Sequence, residues 1–530
     1  MFKLNGQQFK QMLVSGANNL ENYQNEINAL NVFPVPDGDT GTNMSMTFTN
    51  GCKEAQACFS DNFSDVAKAL QKGLLMGARG NSGVITSQIF RGFYQSVKGK
   101  EEVTAYEIAD AFENGAKVAY KAIMKPVEGT ILTVIRESAW YAKHDFEKNP
   151  KISVEEYFDN LLSYARESLN KTPELLQQLK DAGVVDSGGA GLCRIFEGFK
   201  AYMEGKPVEE KCTLVQLTDE GASSAEDKYG YVVEIEMVLS EDYSQRFDED
   251  LLKKKLTISN EQVYLKQVKD VITIKCLSMK PGDVLNTVQR YGELNEVEIT
   301  NNNHRDLKTK DPKKFGIIAV ASGEGLTKLF YDLGVDVVIA GGQTMNPSTQ
   351  DFVDKLDELK HCEHIFIFPN NSNIILAAEQ AKMISNQNVI VVPCKTIQQG
   401  VAAIGLFNPE GTVQENEEIF LEEIANVTAA SLTYAVKDTS MFGVDVHKGD
   451  YLAICGKEIV ASGADMHQTI QTLLEKMMEE KDGEIMTIIT GEDADEKETA
   501  AINEFVAAKG IEVEIIKGDQ AVYSYLFGLE

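Results

Sequence analysis

Two aspartates in a short polar loop are the residues best suited to chemistry in this sequence. Asp37 and Asp39 flank Gly38 in the segment NVFPVPDGDTGTNM, residues 31–44, which is too rich in proline and glycine to continue a helix. Side chains two positions apart in an extended loop point the same way, and carboxylate oxygens are hard ligands for Mg²⁺. A lone Asp-Gly-Asp is more often a turn. The density of polar residues between two prolines and a helix favours a metal site.

The next four residues are typical of an anion-binding site. Thr40, Gly41, Thr42 and Asn43 supply hydroxyls, an amide and backbone N–H groups where a helix is expected to begin. The N-terminus of a helix favours anions, because its first N–H groups have no partner within the helix. We therefore expect these residues to contact phosphate oxygens.

Three more loops combine glycine with polar residues. In MGARGNSGVI, residues 76–85, Arg79 precedes Gly80, Asn81 and Ser82. Glycine lets backbone amides approach phosphates closely, and an arginine supplies positive charge to a transferring phosphoryl group. Taken alone, this segment is equally consistent with a glycine turn between two helices. The other two loops are KPVEGTIL, with Glu128 and Thr130, and AGVVDSGGAGL, residues 182–192.

Composition narrows the class of protein. A chain of 530 residues with 43% hydrophobic residues is expected to fold into two to four domains. The excess of 81 acidic over 51 basic residues gives a formal charge of −30, which repels nucleic acid and anionic membranes. The start does not resemble a signal peptide, and no stretch of 18 apolar residues follows, so we expect a cytoplasmic protein without a transmembrane segment.

Periodicity divides the chain into three parts. Apolar residues recur every three or four positions from Phe9 to Leu30, with Asn5 as the expected N-cap, and again in segments up to Leu169, which predicts a nearly all-helical first domain. Gly205 to Lys228 is typical of a linker. Alternating β-branched residues then predict a small α+β module, and apolar strands alternating with helices from Phe315 predict a parallel sheet and a second lobe. The predicted domains are residues 1–204, 205–309 and 310–530.

The four loops resemble the nucleotide-binding domain of L-type dihydroxyacetone kinases. More closely, the strings FPVPDGDTGTNMS, GARGNSGVI, KPVEGTILTV and GVVDSGGAGL look like the fatty acid kinase A family. The resemblance continues through GGQTMNPST at 341–349 and FPNNSNIILAAEQA at 368–381, so it spans essentially the whole chain. It implies a multidomain protein with an all-α helical barrel, a small α+β middle domain and a DegV-like α/β C-terminal domain.

The resemblance also implies cofactors, partners and residue roles. It implies ATP and Mg²⁺ as cofactors, a fatty acid as substrate, an acyl-carrying DegV-type protein as partner, and a homodimer. The implied metal ligands are Asp37, Asp39 and Asn31, which stands near the place of an upstream carboxylate. The implied cofactor-binding residues are Thr40, Gly41, Thr42, Asn43, Gly80, Asn81, Ser82, Thr130, Asp186, Ser187 and Gly188, with Arg79 as the catalytic charge.

Two alternatives remain open at this point. A fatty carboxylate, with a pKa of ~4 to 5, is already ionised at neutral pH and needs no catalytic base. The first domain has a single histidine, His144, which favours such a carboxylate acceptor. A dihydroxyacetone-like small-molecule kinase is the first alternative. In the middle domain, the family's cysteine and two histidines are replaced by Val232, Lys275 and Leu277. A regulatory protein that binds nucleotide without turnover is therefore the second alternative, and Cys276 is interpreted as a buried strand residue.

The polar strings of the C-terminal domain have two interpretations of equal weight. GGQTMNPST and NNSN follow predicted strands, and ligands of open α/β sheets lie at the carboxyl ends of strands. Asparagine and serine also cap helices. The strings predict either an anion site or helix caps.

Overall fold

The computed structural model describes most of the chain as two compact units. The described residues are 3–32, 38–209, 231–240, 247, 249–257, 260–268, 270–301, 311–342, 345–435, 438–441, 444–456 and 458–530. One unit comprises Met1–Lys211 with Pro312–Glu530, and the other comprises Cys212–Asp311. Asp37 and most of the predicted linker lie outside the described residues. The domain boundaries at 204–205 and 309–310 stay predictions.

The first part of the chain is helical, as predicted. Its helices are α1 Gly6–Asn22, α2 Gln24–Leu30, α3 Thr40–Ala57, α4 Phe63–Met76, α5 Gly80–Val97, α6 Ala105–Ala122, α7 Ile131–Lys148, α8 Val154–Leu175, α9 Gln177–Ala182 and α10 Ser187–Met203. Two short strands that the sequence did not predict, β1 Lys3–Asn5 and β2 Glu102–Thr104, pair antiparallel. Within the described residues no helix is both long and apolar enough to cross a membrane.

The N-terminal helix begins where the sequence predicts and is interrupted once. The Asn5 side chain accepts a hydrogen bond from the Gln8 N–H and forms a capping box with Gln8, which satisfies two backbone donors at the helix start. The stripe predicted as one helix is divided at Tyr23, between α1 and α2. A 3.6-residue period continues through such a short interruption, so the sequence pattern does not reveal it.

Aromatic side chains fill the interior of the helical part. Phe9 stacks on Phe63 with ring centroids 4.5 Å apart, and Phe93 packs on Phe112 at 4.8 Å. All four rings are at most 2% exposed, and burying an aromatic side chain contributes roughly 1.5–3 kcal/mol. This core packs the helices against one another and thereby positions the loops at their ends.

The second unit is a small α+β fold. Its elements are β3 Tyr231–Leu239, α11 Glu249–Thr257, β4 Asn260–Val268, β5 Val271–Ser278, α12 Pro281–Val288 and β6 Gly292–Asn301. The strands form an antiparallel sheet in the order β4-β5-β3-β6. Cys276 lies in β5 with 1% exposure, and burial raises the pKa of its thiol to about 11. The interpretation of Cys276 as a buried strand residue is confirmed.

The last part begins with a parallel sheet, as predicted. Its elements are β7 Lys313–Ala321, α13 Glu324–Asp332, β8 Val337–Ala340, α14 Thr349–Glu358, β9 Cys362–Phe368, α15 Ile375–Ile384, β10 Asn388–Val391, α16 Ile397–Gly405 and α17 Val413–Asn426. The sheet order is β10-β9-β7-β8, with every pair parallel. The β8–α14 loop therefore lies at a carboxyl edge of the sheet.

A second sheet forms the predicted additional lobe. Its region contains β11 Thr428–Tyr434, β12 Thr439–Met441, β13 Val444–Val446, β14 Tyr451–Cys455, β15 Glu458–Gly463, α18 Met466–Glu480, β16 Ile485–Thr490, α19 Glu496–Ala507, β17 Glu512–Lys517 and β18 Tyr525–Leu529. Six of these strands form a mixed sheet in the order β15-β14-β11-β18-β16-β17. Strand β14 lies in GDYLAICG at 449–456 and β16 in EIMTIIT at 484–490, and β17 overlaps IEVEII at 511–516.

Candidate functional site

The N-termini of α3, α5, α7 and α10 lie next to one another. The Ser187 hydroxyl at the start of α10 donates to Thr40 Oγ1 at the start of α3, over 3.2 Å. The Asp186 carboxylate, which caps α10, also accepts the backbone N–H of Ile131 at the start of α7. The four polar loops of the sequence are thus neighbours, although they are up to 147 positions apart in the chain.

Gly80 brings the start of α5 against α3. Gly80 has φ +59°, a left-handed conformation that side chains disfavour, and an added Cβ would lie 2.5 Å from Asn43 Nδ2. Only glycine combines this backbone geometry with so close an approach. The Arg79 N–H also donates to Thr47 Oγ1 over 3.1 Å, which attaches the same loop to α3.

Two of the four helix starts lack a side-chain cap. Thr130 caps α7 and Asp186 caps α10, whereas neither Asp39 before α3 nor Arg79 before α5 makes a side-chain cap hydrogen bond. First-turn N–H groups without a cap carry the positive end of the helix dipole and suit an anion. The start of α5 and the Thr40 and Gly41 N–H groups of α3 can therefore face phosphate oxygens, while the Thr42 N–H is bound by Asn28 Oδ1.

Thr42 has a structural role in addition to any contact with ligand. Its hydroxyl accepts hydrogen bonds from the amides of Gln24 and Asn28 at 2.9 and 3.0 Å, and its N–H donates to Asn28 Oδ1. These bonds attach α2 to the first turn of α3. The amino-acid sequence alone does not show whether Thr42 attaches α2 to α3 or contacts phosphate.

Asp39 is a buried carboxylate directly before α3. It is 8% exposed, and its Oδ2 accepts a hydrogen bond of 2.5 Å from Asn346 Nδ2. The same amide nitrogen lies 3.4 Å from Asn43 Oδ1. Asn31 is 4% exposed and is the C-cap of α2. The other predicted ligand, Asp37, lies outside the described residues.

The oxygens present fit a hard divalent cation. Asp39 supplies a carboxylate, and the neighbouring Thr40 and Asn43 supply a hydroxyl and an amide, the ligand types that Mg²⁺ accepts. The buried Asn346 Oδ1 has no hydrogen-bond partner among the described residues, which fits a group that arrives with a ligand. No cluster of three or more His, Cys, Asp or Glu residues with metal-binding geometry occurs in the described part of the chain.

Asp186 is a buried carboxyl group, with 5% of the residue exposed. It accepts the Gly189 N–H over 2.7 Å, and the Asp186 N–H donates to Thr172 Oγ1. Burial raises the pKa of Asp186 to about 6, and the hydrogen bonds from backbone N–H groups oppose this rise. The side chain therefore shapes the turn before Ser187 and Gly188 from inside the protein.

Glu128 holds the KPVEGTIL loop in place. It accepts hydrogen bonds from Thr133 Oγ1 at 2.6 Å, Arg136 Nη1 at 2.7 Å and Tyr120 Oη at 3.1 Å. Partial burial raises the pKa of Glu128, but the Thr133 hydrogen bond and the Arg136 charge outweigh it and hold the pKa below its ordinary value. These contacts fix the loop that leads to Thr130.

The Arg79 side chain is directed at the C-terminal part of the same unit. Its Nη1 donates to the carbonyl oxygen of Asn346 over 2.7 Å, and its Nη2 lies 3.6 Å from Asp351 Oδ2. Backbone contacts reinforce this: Arg79 and Ser348 form an antiparallel bridge, and the Thr349 N–H donates to the Ala78 carbonyl. In this conformation the guanidinium is paired with the β8–α14 loop.

Comparison with known proteins identifies the family. Residues 316–530 match the model for the C-terminal region of fatty acid kinase A-like proteins, and residues 34–201 match the DAK2 domain. Protein YloV of Bacillus subtilis (strain 168) is 40% identical over 553 residues, which cover 99% of each chain. The chain belongs to the fatty acid kinase A-like family. An uncharacterized protein of Staphylococcus aureus (strain USA300) is 39% identical over 551 residues and 100% of both chains.

Two solved structures are similar to parts of this chain. A fatty-acid-binding DegV family protein from Thermus thermophilus is 13% identical and covers 41% of this chain and 99% of its own, with a TM-score of 0.32. Dihydroxyacetone kinase from C. freundii, in complex with AMP-PNP and Mg²⁺, is 18% identical and covers 36% of this chain and 33% of its own, with a TM-score of 0.28.

The site of this fatty acid kinase A-like chain includes a residue that the sequence did not single out. Asn346 lies in GGQTMNPST, for which the sequence predicted either helix caps or an anion site. Ser348 caps α14 in a capping box with Asp351, which confirms the capping interpretation for that serine. In NNSN, Asn373 Oδ1 instead accepts from Asn81 Nδ2 over 3.0 Å. In the sequence, only the polar character of GGQTMNPST and NNSN indicates that these loops could contribute to the site.

Proposed function

We propose that this chain is the ATP-binding subunit of a fatty acid kinase. It would transfer the γ-phosphoryl group of ATP to a fatty acid carboxylate, which a separate acyl-carrying DegV-type protein presents, and the product would be an acyl phosphate. The observation that carries the proposal is the proximity of the N-termini of α3, α5, α7 and α10, with the buried carboxylate of Asp39 directly before α3. Membership of the fatty acid kinase A-like family supports the choice of substrate.

In this proposal, one group of residues holds the metal ion and a second group binds the nucleotide. Asp37 and Asp39, with the amide oxygen of Asn31, would hold Mg²⁺, which neutralises triphosphate charge and orients the transferring group. The first-turn N–H groups of α5, and the N–H groups of Thr40 and Gly41 in α3, contact phosphate oxygens, whereas the Thr42 N–H donates to Asn28 Oδ1. The residues assigned to nucleotide binding are Thr40, Gly41, Thr42, Asn43, Gly80, Asn81, Ser82, Thr130, Asp186, Ser187 and Gly188.

Transfer to a carboxylate needs no proton acceptor. A carboxylate oxygen forms a bond to the γ-phosphorus while the bond from that phosphorus to the β,γ-bridging oxygen breaks, and ADP leaves. Because a fatty acid with a pKa of ~4 to 5 is already ionised at neutral pH, no base is required. The protein's contribution is positioning and charge, and Arg79 is the residue we assign to the charge on the transferring group.

Phosphate transfer with defined components tests the proposal. The chain is incubated with Mg²⁺, [γ-³²P]ATP and a DegV-type protein loaded with a fatty acid, and the ³²P-labelled acyl phosphate is detected directly; in a parallel reaction, hydroxylamine converts it to the hydroxamate and releases the labelled phosphate. We expect labelled product only when all components are present. Transfer to dihydroxyacetone or glycerol without the carrier would favour a small-molecule kinase, and ATP binding without transfer would favour a regulatory protein.

Light scattering, which measures the molar mass in solution, tests the expected homodimer.

A further inference from the structure

The C-terminal part of the chain reaches the proposed metal site through one amide side chain. Asn346, in the loop between β8 and α14, is 2% exposed and lies 307 positions beyond Asp39 in the sequence. Its Nδ2 donates to Asp39 Oδ2 over 2.5 Å and lies 3.4 Å from Asn43 Oδ1. A residue of the α/β part thus contacts two residues assigned to the nucleotide site of the helical part.

The chemistry of the contact fixes the orientation of the amide. An ionised carboxylate only accepts hydrogen bonds, so the donor end of Asn346 faces Asp39 and the acceptor end faces away. The acceptor, Oδ1, is buried and has no partner among the described residues. Leaving a buried acceptor unpaired costs about 1–3 kcal/mol. A donor that arrives with the ligand, such as water coordinated to a divalent cation, would remove this cost.

The loop that carries Asn346 is held by the loop that begins α5. Arg79 Nη1 donates to the Asn346 carbonyl oxygen over 2.7 Å, and the Thr349 N–H donates to the Ala78 carbonyl over 3.1 Å. Ala78 and Val84 of the helical part also belong to a hydrophobic cluster formed mainly by the α/β part. The position of Asn346 is therefore fixed by the segment that offers the α5 N-terminus to phosphate.

We infer that Asn346 is a positioning residue of the metal–nucleotide site, supplied by the C-terminal part of the chain. By donating to Oδ2 of Asp39, it fixes the position of that carboxylate, and its own Oδ1 accepts a hydrogen bond from the hydration shell of the bound cation. Partners that orient a metal ligand typically change metal affinity 10–100-fold when they are removed. This inference rests on the proposed function, because it requires that Asp39 be a ligand of Mg²⁺.

Binding measurements on the full-length chain test the inference apart from catalysis. Asn346→Leu keeps the branched shape and the number of side-chain heavy atoms but replaces both polar atoms with methyl groups. Asn346→Ala, which adds no bulk, is the second variant if leucine impairs folding. Calorimetry with AMP-PNP at increasing Mg²⁺ gives the concentration of Mg²⁺ for half-maximal binding. We expect this concentration to rise at least ~10-fold in either variant, with nucleotide binding in EDTA unchanged.

A matched control separates this effect from a weakened contact between the two parts. Gln380 is 1% exposed and donates from α15 to Ser87 Oγ and the Leu75 carbonyl, outside the proposed site. Gln380→Met should leave the Mg²⁺ requirement unchanged.

Three outcomes would overturn the inference. Wild-type Mg²⁺ dependence in both Asn346 variants would refute it while leaving the proposed function intact. Tighter Mg²⁺ binding in the variants would show that Asn346 obstructs the site. If the wild-type chain itself showed no Mg²⁺-dependent nucleotide binding, the proposed function would fail together with the inference.

Discussion

The hydroxyl groups of Ser187 and Thr40 are 3.2 Å apart, and both side chains are at most 7% exposed. This hydrogen bond joins the first residue of α10 to the first residue of α3. It places the turn that carries Asp186 beside the loop that carries Asp39. The geometry of the proposed nucleotide site therefore depends on a contact between two distant helix starts.

Ser187→Ala should weaken nucleotide binding more than it slows turnover. A neutral hydrogen bond contributes about 0.5–1.5 kcal/mol, so the KM for ATP should rise about 2- to 10-fold, while kcat changes less. Steady-state kinetics measure both. Ser138→Ala is the control, since Ser138 is also buried and donates to the Val134 carbonyl within α7. Equal effects of the two variants on KM would contradict a role for the Ser187–Thr40 contact in binding.

Asp39→Asn and Asp37→Asn should each reduce turnover at least ~100-fold, about 2.7 kcal/mol of transition-state stabilisation. An amide is a weaker ligand for Mg²⁺ than a carboxylate, but it forms turns equally well, so the fold should be retained. Radiolabelled phosphate transfer and thermal unfolding measure the two effects. Asp495→Asn, the same change at the cap of α19, should leave transfer unchanged. Near-normal magnesium-dependent transfer in both site variants would exclude this loop as the metal site.

Substitutions at Arg79 and Asp351 distinguish two roles for the arginine. Arg79→Met should reduce kcat at least ~100-fold if the guanidinium stabilises the transferring phosphoryl group. Asp351→Asn removes the carboxylate 3.6 Å from Arg79 Nη2 but leaves the positive charge. Because Asp351 is 43% exposed, this variant should retain kcat within about threefold, as a solvent-screened pair contributes little. Equal losses in both variants would instead assign Arg79 to holding the β8–α14 loop.

Asp186 should make the stability of the protein fall as pH rises from about 4 to 6. The folded protein retains the proton of this carboxyl up to its pKa of about 6, whereas the ordinary value is 3.8. In this window the folded state binds more protons than the unfolded state, so the free energy of unfolding decreases with rising pH. The decrease is on the order of 3 kcal/mol at most.

Asp186→Asn removes this titration and can still accept the Gly189 N–H. Urea unfolding at pH 4, 5, 6 and 7 should therefore show that the variant gains stability relative to wild type as pH rises, with the full difference reached above pH 6. A constant difference between variant and wild type across this range would show that Asp186 does not titrate there.

Helices and strands were largely predictable because their signals are local. Asn5 caps α1 through bonds to a residue three positions away, and the 3.6-residue period identifies the buried face of each helix. In the second unit, alternation in β3 buries Val233, Ile235 and Met237 on one face. The break at Tyr23 and the pairing of β1 with β2 escaped prediction, because a short interruption preserves the period and strands of three residues carry too little pattern.

The sequence by itself determined which residue types are available for chemistry: the paired aspartates, the glycine-rich loops and the absence of an evident base beside them. Residue identity and spacing are sufficient for that, because ligand chemistry belongs to the side chain. The tertiary structure alone decided which of these groups meet. Ser187 contacts Thr40, Arg79 turns towards Asp351, and Asn346 reaches Asp39, because packing of the hydrophobic cores brings together segments that no local pattern relates.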